Sequence, residues 1–186
     1  MSVGLGDVTV ISGPTAVGKG TLVRELTKRH PQVWVSISAT TRKPRVGEVD
    51  GTHYHFITDA EFDELLATNG FLEWATVHGA ARYGTLKAPV LQAVAAGKHV
   101  VLEIDLQGAR QIREQLPGAR FIFVVPPDFG TLRQRLAGRG TETAAEMERR
   151  LATAKAELAA QSEFDRVLVN DDLGRAVDEL VDLIGL

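Results

Sequence analysis

The beginning of the chain places a glycine-rich turn between a short apolar run and a helical pattern. Residues 8–12 (VTVIS) predict a buried strand, and residues 21–30 repeat leucine and valine at helical spacing. Between them lies GPTAVGK (13–19). A phosphate-binding loop (P-loop) requires this order, because its backbone N–H groups and the helix N-terminus converge on phosphate oxygens. Lys19 can then reach the β- and γ-phosphates of a nucleotide, whereas the alternative is a plain turn with a surface lysine.

The rest of the chain alternates between strand and helix patterns, with one interruption. Predicted strands occupy residues 8–12, 33–37, 71–77, 99–104, 120–125 and 166–169. Predicted helices occupy residues 21–30, 86–96, 107–116, 128–137, 143–161 and 173–184, and another begins at a capping box formed by Thr58 and Glu61. This alternation predicts an α/β fold with a mainly parallel sheet and helices on both faces.

Residues 38–85 break the alternation, so we expect them to form an inserted lobe that ends in a glycine-containing turn at 78–85. The whole chain, 1–186, is expected to be one domain.

Composition excludes several classes of protein. The 186 residues include no cysteine, which excludes thiol catalysis, disulfides and cysteine-ligated metals. The net charge of −3 does not suit a nucleic-acid coat or a basic membrane-surface protein. There is no run of 18 apolar residues, and residues 1–10 lack the features of a signal peptide. We therefore expect a cytoplasmic protein without a nucleic-acid or membrane partner.

A second anion site is indicated by the basic loop after residue 38. Arg42 and Arg45 carry forked guanidinium groups that suit phosphate, and the hydroxyl of Tyr54 follows closely. Beside a phosphate-binding loop, such a site suggests transfer of a phosphoryl group between two ligands. Glu73 and Asp105 lie on or after predicted strands and could face the ligand crevice. Solvated arginines and helix-capping carboxylates are the alternatives.

Arginines also cluster around the break at Gly138 and Gly140. The cluster comprises Arg133, Arg135, Arg139, Arg149 and Arg150. A moving segment that carries arginine could close over a transferring phosphoryl group. The alternative is a solvated helix face on which Glu142, Glu146 and Glu148 pair with the arginines.

These stretches together resemble the guanylate kinase family over nearly the whole chain. The matching strings are SGPTAVGK (12–19), SATTRKPRVGEVDG (38–51), YHF (54–56), LEWA (72–75), YGT (83–85), LEIDLQG (102–108), PP (126–127), RGTET (139–143) and VNDD (169–172). The resemblance implies a P-loop NTPase-type parallel sheet flanked by helices, with a core of residues 1–37, 86–130 and 155–186, a GMP-binding lobe at 38–85 and a helical lid at 131–154. It also implies transfer of the ATP γ-phosphoryl group to GMP, which gives ADP and GDP, with Mg²⁺ as cofactor.

The resemblance implies roles for individual residues. The GMP phosphate would be held by Ser38, Arg42, Arg45, Tyr54 and Tyr83, and guanine would be read by Glu73, Thr85 and Asp105. ATP would be bound by Gly13, Pro14, Thr15, Ala16, Val17, Gly18, Lys19, Gly20 and Thr21, with Asn170 near adenine. The catalytic residues would be Lys19, Arg42, Arg135, Arg139 and Arg150, the last three from the lid.

The metal site is expected to have no direct side-chain ligand. Gly20 stands where a P-loop usually has serine or threonine, so no hydroxyl is available there. Mg²⁺ would then be held by phosphates and water, with Glu103 and Asp105 in the outer shell.

Two other readings of the resemblance stay open at the level of sequence. Guanylate-kinase-like domains of scaffold proteins bind phosphopeptides, but they typically lack an intact phosphate loop. A kinase for another nucleoside monophosphate is the second reading, and the paired acceptors Glu73 and Asp105 argue against it. We expect a monomer or a small homo-oligomer, and the use of dGMP beside GMP is left open.

Overall fold

The computed structural model describes residues 7–77, 81–138 and 144–186. Within these ranges the strands are β1 Val8–Ser12, β2 Val33–Val35, β3 Ala39–Thr40, β4 His55–Phe56, β5 Phe71–Val77, β6 Ala81–Leu86, β7 His99–Glu103, β8 Arg120–Val125 and β9 Arg166–Val169. The α-helices are α1 Lys19–Arg29, α2 Asp59–Ala67, α3 Lys87–Ala95, α4 Leu106–Gln115, α5 Phe129–Ala137, α6 Ala144–Ala159 and α7 Leu173–Ile184. None of these helices is both long and apolar enough to cross a membrane.

The central sheet has five parallel strands in the order β2-β7-β1-β8-β9. All five residues of β1 are buried, because helices cover both faces of the sheet. Val8 and Val10 pack with residues of α3 and α4 on one face, and Ile11 packs with residues of α1 and α7 on the other. The predicted α/β fold with a parallel sheet and flanking helices is therefore confirmed. Its ligand crevice is expected at the carboxyl end of β1.

A second, mostly antiparallel sheet is formed by the inserted segment, in the order β4-β3-β6-β5. The prediction of a turn over 78–85 is wrong for residues 81–85, which belong to β6, while residues 78–80 lie outside the described ranges. Gly84 explains the error. A Cβ atom there would lie 2.7 Å from the ring of Phe71, so this glycine permits close packing within a strand rather than a turn.

The second sheet is attached to the core where β5 meets α4. The side-chain amide of Gln111 accepts a hydrogen bond from the backbone N–H of Trp74 at 3.1 Å and donates to its carbonyl at 2.9 Å. Gln115 donates to the carbonyl of Leu72 at 2.7 Å. Two glutamines of one helix thus satisfy backbone groups of the edge strand β5, as a neighbouring strand would.

Most predicted element ends agree with the structure. Thr58 and Glu61 form the predicted capping box of α2, and Asp128 caps α5. The predicted strand 33–37 is shorter, since it ends at Val35. The helix predicted to reach 161 ends at Ala159 and continues as a 3₁₀ turn over Ala160–Glu163, and its predicted cap Thr143 lies outside the described residues.

Candidate active site

The glycine-rich turn after β1 depends on glycine at two positions. Gly13 has a φ of 144°, and a Cβ atom there would lie 2.3 Å from the carbonyl oxygen of Val124 on β8. Gly18 has a φ of 99° and precedes α1, where no side chain caps the helix. The N-terminus of α1 therefore has no internal side-chain ligand and suits an anion.

Lys19 lies against the loop that precedes it. Its Nζ donates to the carbonyl of Gly13 at 2.5 Å and to that of Pro14 at 3.2 Å. The ammonium group is thus held at the mouth of the loop by backbone oxygens. In the ATP-binding role expected of this loop, it would exchange them for phosphate oxygens.

The far side of the loop is held by two residues that were predicted to contact nucleotide. Asn170 is buried, and its Nδ2 donates to the carbonyl of Val17 at 2.9 Å. Arg135 donates to the same carbonyl at 3.1 Å and to the carbonyl of Asn170 at 3.0 Å. Both side chains therefore fix the P-loop backbone from α5 and the end of β9. Gly18 must lack a Cβ here, since that atom would lie 2.5 Å from Asn170.

A cleft of about 280 Å³ opens beside the P-loop, between the central sheet and the second sheet. Five of the predicted GMP-site residues line it: Ser38, Tyr54, Glu73, Tyr83 and Asp105. Ala75, Glu103 and Ile104 complete the lining. The chain therefore brings together residues that are up to 67 positions apart in sequence, from Ser38 to Asp105.

Glu73 is the buried carboxylate of this cleft, with 7% of its surface exposed. The hydroxyl of buried Thr85 donates to its Oε1 at 2.6 Å. Its Oε2 approaches α4, where a Cβ on Gly108 would lie only 2.7 Å away. Burial raises the pKa of Glu73 to about 7, although the Thr85 hydroxyl lowers it, and the charge of Asp105 raises it further.

This raised pKa has a consequence for stability. Folded protein binds the Glu73 proton more tightly than unfolded protein does, so the stabilisation is complete below about pH 4.5 and is lost as the pH rises through about 7. Wild type should therefore lose roughly 2 to 3 kcal/mol of unfolding free energy between pH 5 and pH 8 relative to Glu73→Gln, whose side chain does not titrate. Urea unfolding of both proteins without nucleotide measures this difference. If the difference in unfolding free energy between wild type and Glu73→Gln were the same at pH 5 and pH 8, the prediction would be contradicted.

Asp105 serves two purposes in this region. Its side chain caps α4 by accepting the backbone N–H of Gly108 at 2.7 Å on Oδ1. The cap uses one of its two carboxylate oxygens, and Asp105 also lines the cleft. The sequence alternatives of a cap and a crevice carboxylate are therefore both realised by one residue.

The predicted arginines of the GMP site differ in their placement. Arg42 is half-buried, and its Nε donates to the hydroxyl of Tyr83 at 3.1 Å. Its guanidinium also pairs with Glu48, at 2.9 Å for Nη2 to Oε1. Arg45 is exposed and does not line the cleft, whereas its backbone N–H donates to Glu48 at 2.7 Å. Arg42 does not line the cleft either, but it bonds the hydroxyl of Tyr83, which does, whereas Arg45 approaches only through its backbone bond to Glu48.

Comparison with known proteins identifies the family of this fold and site. The family model described as guanylate kinase matches residues 6–185. The guanylate kinase of Leifsonia xyli subsp. xyli is 55% identical over 95% of this chain and 70% of its own length, and that of Thermobifida fusca is 54% identical over 95% and 90%. The chain belongs to the guanylate kinase family.

Solved structures agree with this membership. The guanylate kinase of Anaplasma phagocytophilum superposes with a TM-score of 0.76 at 28% identity, over 96% of this chain and 84% of its own. Shikimate kinase from Bacteroides thetaiotaomicron superposes with a TM-score of 0.55 at 16% identity, over 96% and 98%, which shows a shared fold alone. The P-loop NTPase-type fold predicted from sequence is confirmed.

The three arginines that the family resemblance assigns to a lid differ in where they lie. Arg135 on α5 contacts the P-loop backbone. Arg150 lies on the exposed surface of α6, and Arg139 lies outside the described residues. The helices α5 and α6 pack together through Leu132, Leu136, Leu151 and Ala154, and Ala16 of the P-loop packs against this cluster. The pair of helices α5 and α6 therefore packs directly on the P-loop.

Sequence reasoning missed two carboxylates that the fold brings to these sites. Glu48 lies inside a family string but was given no role. Glu157 on α6 has a buried Oε2 with no hydrogen-bond partner among the described residues, and burial raises its pKa while the charge of Lys19 lowers it. Nothing in an alanine-rich helix with several glutamates distinguishes Glu157, because only the packing of α6 brings it near the P-loop.

Gly20 lies in the first turn of α1, which begins two residues before the predicted start at 21, and it has no positive φ. A Cβ atom there would lie 3.5 and 3.6 Å from the two carboxylate oxygens of Glu103, which is ordinary contact. Glu103 also lines the cleft. One carboxylate therefore borders both the P-loop helix and the cleft.

Replacing Gly20 by Ser should be tolerated. Serine fits the helical backbone and has a helix propensity about 0.5 kcal/mol better than that of glycine, and its hydroxyl can donate to Glu103. We expect an unfolding free energy equal to or above that of wild type, with turnover retained. Thermal unfolding and kcat of Gly20→Ser test this. A loss of more than about 1 kcal/mol would show that the first turn of α1 is more constrained than its backbone indicates.

Proposed function

We propose that the protein is a guanylate kinase in activity, which transfers the γ-phosphoryl group of ATP to GMP and releases ADP and GDP. The observation that carries this proposal is the position of Glu103, which touches the space beside Gly20 of the P-loop helix and lines the cleft with Glu73 and Tyr83. Two anion sites that share one wall suit direct transfer of a phosphoryl group between their ligands.

In this proposal the P-loop binds the phosphates of ATP. The residues of this site are Gly13, Pro14, Thr15, Ala16, Val17, Gly18, Lys19, Gly20 and Thr21, with Asn170 behind them. The amides of the loop and of the first turn of α1 would bind phosphate oxygens. Asn170 supports the loop through its bond to Val17, so its proposed effect on ATP is exerted through loop geometry as well as nearness to adenine.

GMP would occupy the cleft, with its phosphate near Arg42 and its base near Glu73. The proposed phosphate ligands are Ser38, Arg42, Arg45, Tyr54 and Tyr83, and the proposed guanine ligands are Glu73, Thr85 and Asp105. Burial raises the pKa of Tyr54, so its hydroxyl keeps the proton that it would donate to phosphate. Thr85 acts on guanine by orienting Glu73, since its hydroxyl bonds that carboxylate.

The reaction needs charge stabilisation more than proton transfer. A phosphate oxygen of GMP forms the new bond to Pγ while the bond from Pγ to the bridging oxygen of ADP breaks, so no side chain has to accept a proton from carbon or nitrogen. The transition state spreads negative charge over oxygens. The proposed catalytic cations are Lys19, Arg42, Arg135, Arg139 and Arg150.

Mg²⁺ is the proposed cofactor, and the chemistry of the site fits it. The donors beside Gly20 are carboxylate oxygens of Glu103, and hard oxygen ligands suit this ion. No group of three or more potential ligands occurs among the described residues, so phosphates and water would supply most of the coordination. Glu103 and Asp105 would accept hydrogen bonds from that water. When bound, the ion would neutralise phosphate charge.

We propose a cytoplasmic protein that acts as a monomer or small homo-oligomer, with residues 38–85 as the GMP-binding lobe and 131–154 as the lid. A P-loop and a small acceptor cleft lie side by side in one chain, and this arrangement supports small-molecule substrates rather than a nucleic acid. Use of dGMP is tested together with GMP below.

The test is an ADP-release assay with purified protein, ATP and Mg²⁺, and with GMP, dGMP, AMP, CMP or UMP as acceptor. We expect turnover with GMP and little with AMP, CMP or UMP. Turnover with AMP equal to that with GMP would favour a kinase of different base preference. Binding of GMP or of a phosphopeptide without any ADP release would favour the binding module.

A further inference from the structure

Glu48 lies in the loop between β3 and β4, beside the cleft, and three N–H donors converge on it. Its Oε2 accepts from Nη1 of Arg42 at 3.0 Å and from the backbone N–H of Arg45 at 2.7 Å. Its Oε1 accepts from Nη2 of Arg42 at 2.9 Å. The pair of Glu48 with Arg42 is therefore bidentate, which fixes the plane of the guanidinium as well as its position.

The orientation of Arg42 is specified further by its other bonds. Its Nε donates to the hydroxyl of Tyr83 at 3.1 Å, and Nη1 also donates to the carbonyl of Lys43 at 2.8 Å. Its Cζ lies 5.5 Å from the ring centroid of Tyr54. Four donor contacts therefore use up most of the five N–H groups of the guanidinium. One N–H of Nη2 remains for a ligand.

This arrangement fixes the direction in which the hydroxyl of Tyr83 donates its hydrogen bond. Because its oxygen accepts the N–H of Arg42 Nε, its own proton must point away from Arg42. Tyr83 lines the cleft, and its ring contacts that of Tyr54 edge-on with centroids 5.8 Å apart. Tyr83 is thus arranged to donate into the cleft, where a phosphate oxygen would accept.

We propose that Glu48 is a positioning residue for the acceptor phosphate, because it orients Arg42 and, through Arg42, makes Tyr83 a donor to that phosphate. This inference rests on the proposed function, in which the cleft holds the phosphate monoester of GMP. Glu48 itself touches no substrate. Its effect should appear in the affinity for the phosphate-bearing acceptor and should be absent from the affinity for ATP.

The role requires a carboxylate rather than a polar side chain of the same shape. Arg42 and the backbone N–H of Arg45 lower the pKa of Glu48 to about 2, so it is ionised at neutral pH. Glutamine would place an N–H group against one of the converging donors, and Arg42 would have to turn away. Charge alone has the opposite effect, because removing a negative charge near the cleft favours a dianionic ligand. The direction of the change in GMP affinity therefore separates the two effects.

The experiment compares Glu48→Gln with Glu48→Asp and with Glu64→Gln, which makes the same charge change on the exposed surface of α2. We expect Glu48→Gln to raise KM for GMP about tenfold with KM for ATP unchanged, as the loss of a charge-assisted hydrogen bond would. Glu48→Asp keeps the charge and should recover part of this affinity. Glu64→Gln should match wild type. Melting temperatures check that each variant is folded.

A double-mutant cycle with Arg42→Lys distinguishes positioning from a general effect on the loop. Arg42→Lys alone should raise KM for GMP, and adding Glu48→Gln should then change KM less than twofold, because the residue through which Glu48 acts is already lost. Independent, multiplicative effects would overturn the positioning role. So would an unchanged or lowered KM in Glu48→Gln while Arg42→Lys is impaired. If Arg42→Lys itself left KM for GMP unchanged, the phosphate site of the proposed function would be wrong.

Discussion

Replacing Lys19 by Met should lower kcat by roughly 10²- to 10³-fold. The ammonium group lies at the mouth of the P-loop on the carbonyls of Gly13 and Pro14, from which it can move to phosphate oxygens. Charges aimed at a transition state of this kind contribute roughly 2.7 to 4 kcal/mol. Methionine keeps the length of the side chain and removes the charge. Initial rates at saturating ATP and GMP measure the effect.

Lys28→Met is the matched control for Lys19→Met. It removes a lysine from the exposed last turn of the same helix, where Lys28 pairs only with Glu25 among its described contacts. Its kcat should equal that of wild type. If Lys19→Met kept more than half of the wild-type kcat while remaining folded, the loop would not be the phosphate site of the kinase.

Base selectivity should be the largest effect in this protein, with GMP preferred over AMP by roughly 10⁴-fold in kcat/KM. In the proposed site, guanine would present two donors, N1–H and the 2-amino group, to the carboxylates of Glu73 and Asp105. Adenine presents a lone pair at N1 and has no 2-amino group, so the buried carboxylate of Glu73 would face a lone pair where guanine offers a donor. Replacing Glu73 by Gln should raise the activation free energy of the GMP reaction by about 1.5 to 3 kcal/mol. The ratio of kcat/KM for GMP to that for AMP should therefore fall by about 10- to 100-fold.

This measurement should be made at pH 8, where Glu73 is mostly ionised, since its pKa is about 7. Glu64→Gln, which changes an exposed carboxylate of the same lobe, should keep the wild-type ratio. Two results would show that Glu73 does not recognise guanine. One is wild-type turnover of AMP within tenfold of that of GMP, and the other is a GMP-to-AMP ratio of kcat/KM that Glu73→Gln leaves unchanged.

Sequence was most informative where a local rule fixes both the backbone and the chemistry. The strand, the glycines and Lys19 predicted the phosphate loop, and the structure explains the glycines by close approaches that a Cβ would prevent. The capping box of Thr58 and the cap at Asp128 were equally local and were confirmed. The residues that the family resemblance assigned to GMP include five that line one cleft.

The features that sequence could not predict depend on tertiary contacts. Gly84 predicts a turn by composition, but it lies in a strand because the ring of Phe71 packs against it. Arg135 was expected at the transferring phosphoryl group, and in this structure it bonds the carbonyls of Val17 and Asn170. Glu157 approaches the P-loop only because α6 folds back onto it. No local pattern distinguishes these partners from solvated residues.

The glutamine contacts between α4 and β5 also determine which part of the acceptor site can move. A rotation of the second sheet that preserves the bonds of Gln111 and Gln115 has its axis along β5, so Glu73, between Leu72 and Trp74, stays nearly still. Arg42 follows β3, two strands away, and would travel farther than Glu73. The base would thus meet a base-binding region that is already in its final position. The phosphate would be enclosed later, when the second sheet rotates and brings Arg42 toward it. In such a sequence of events, a wrong base is rejected before the enzyme commits to closure.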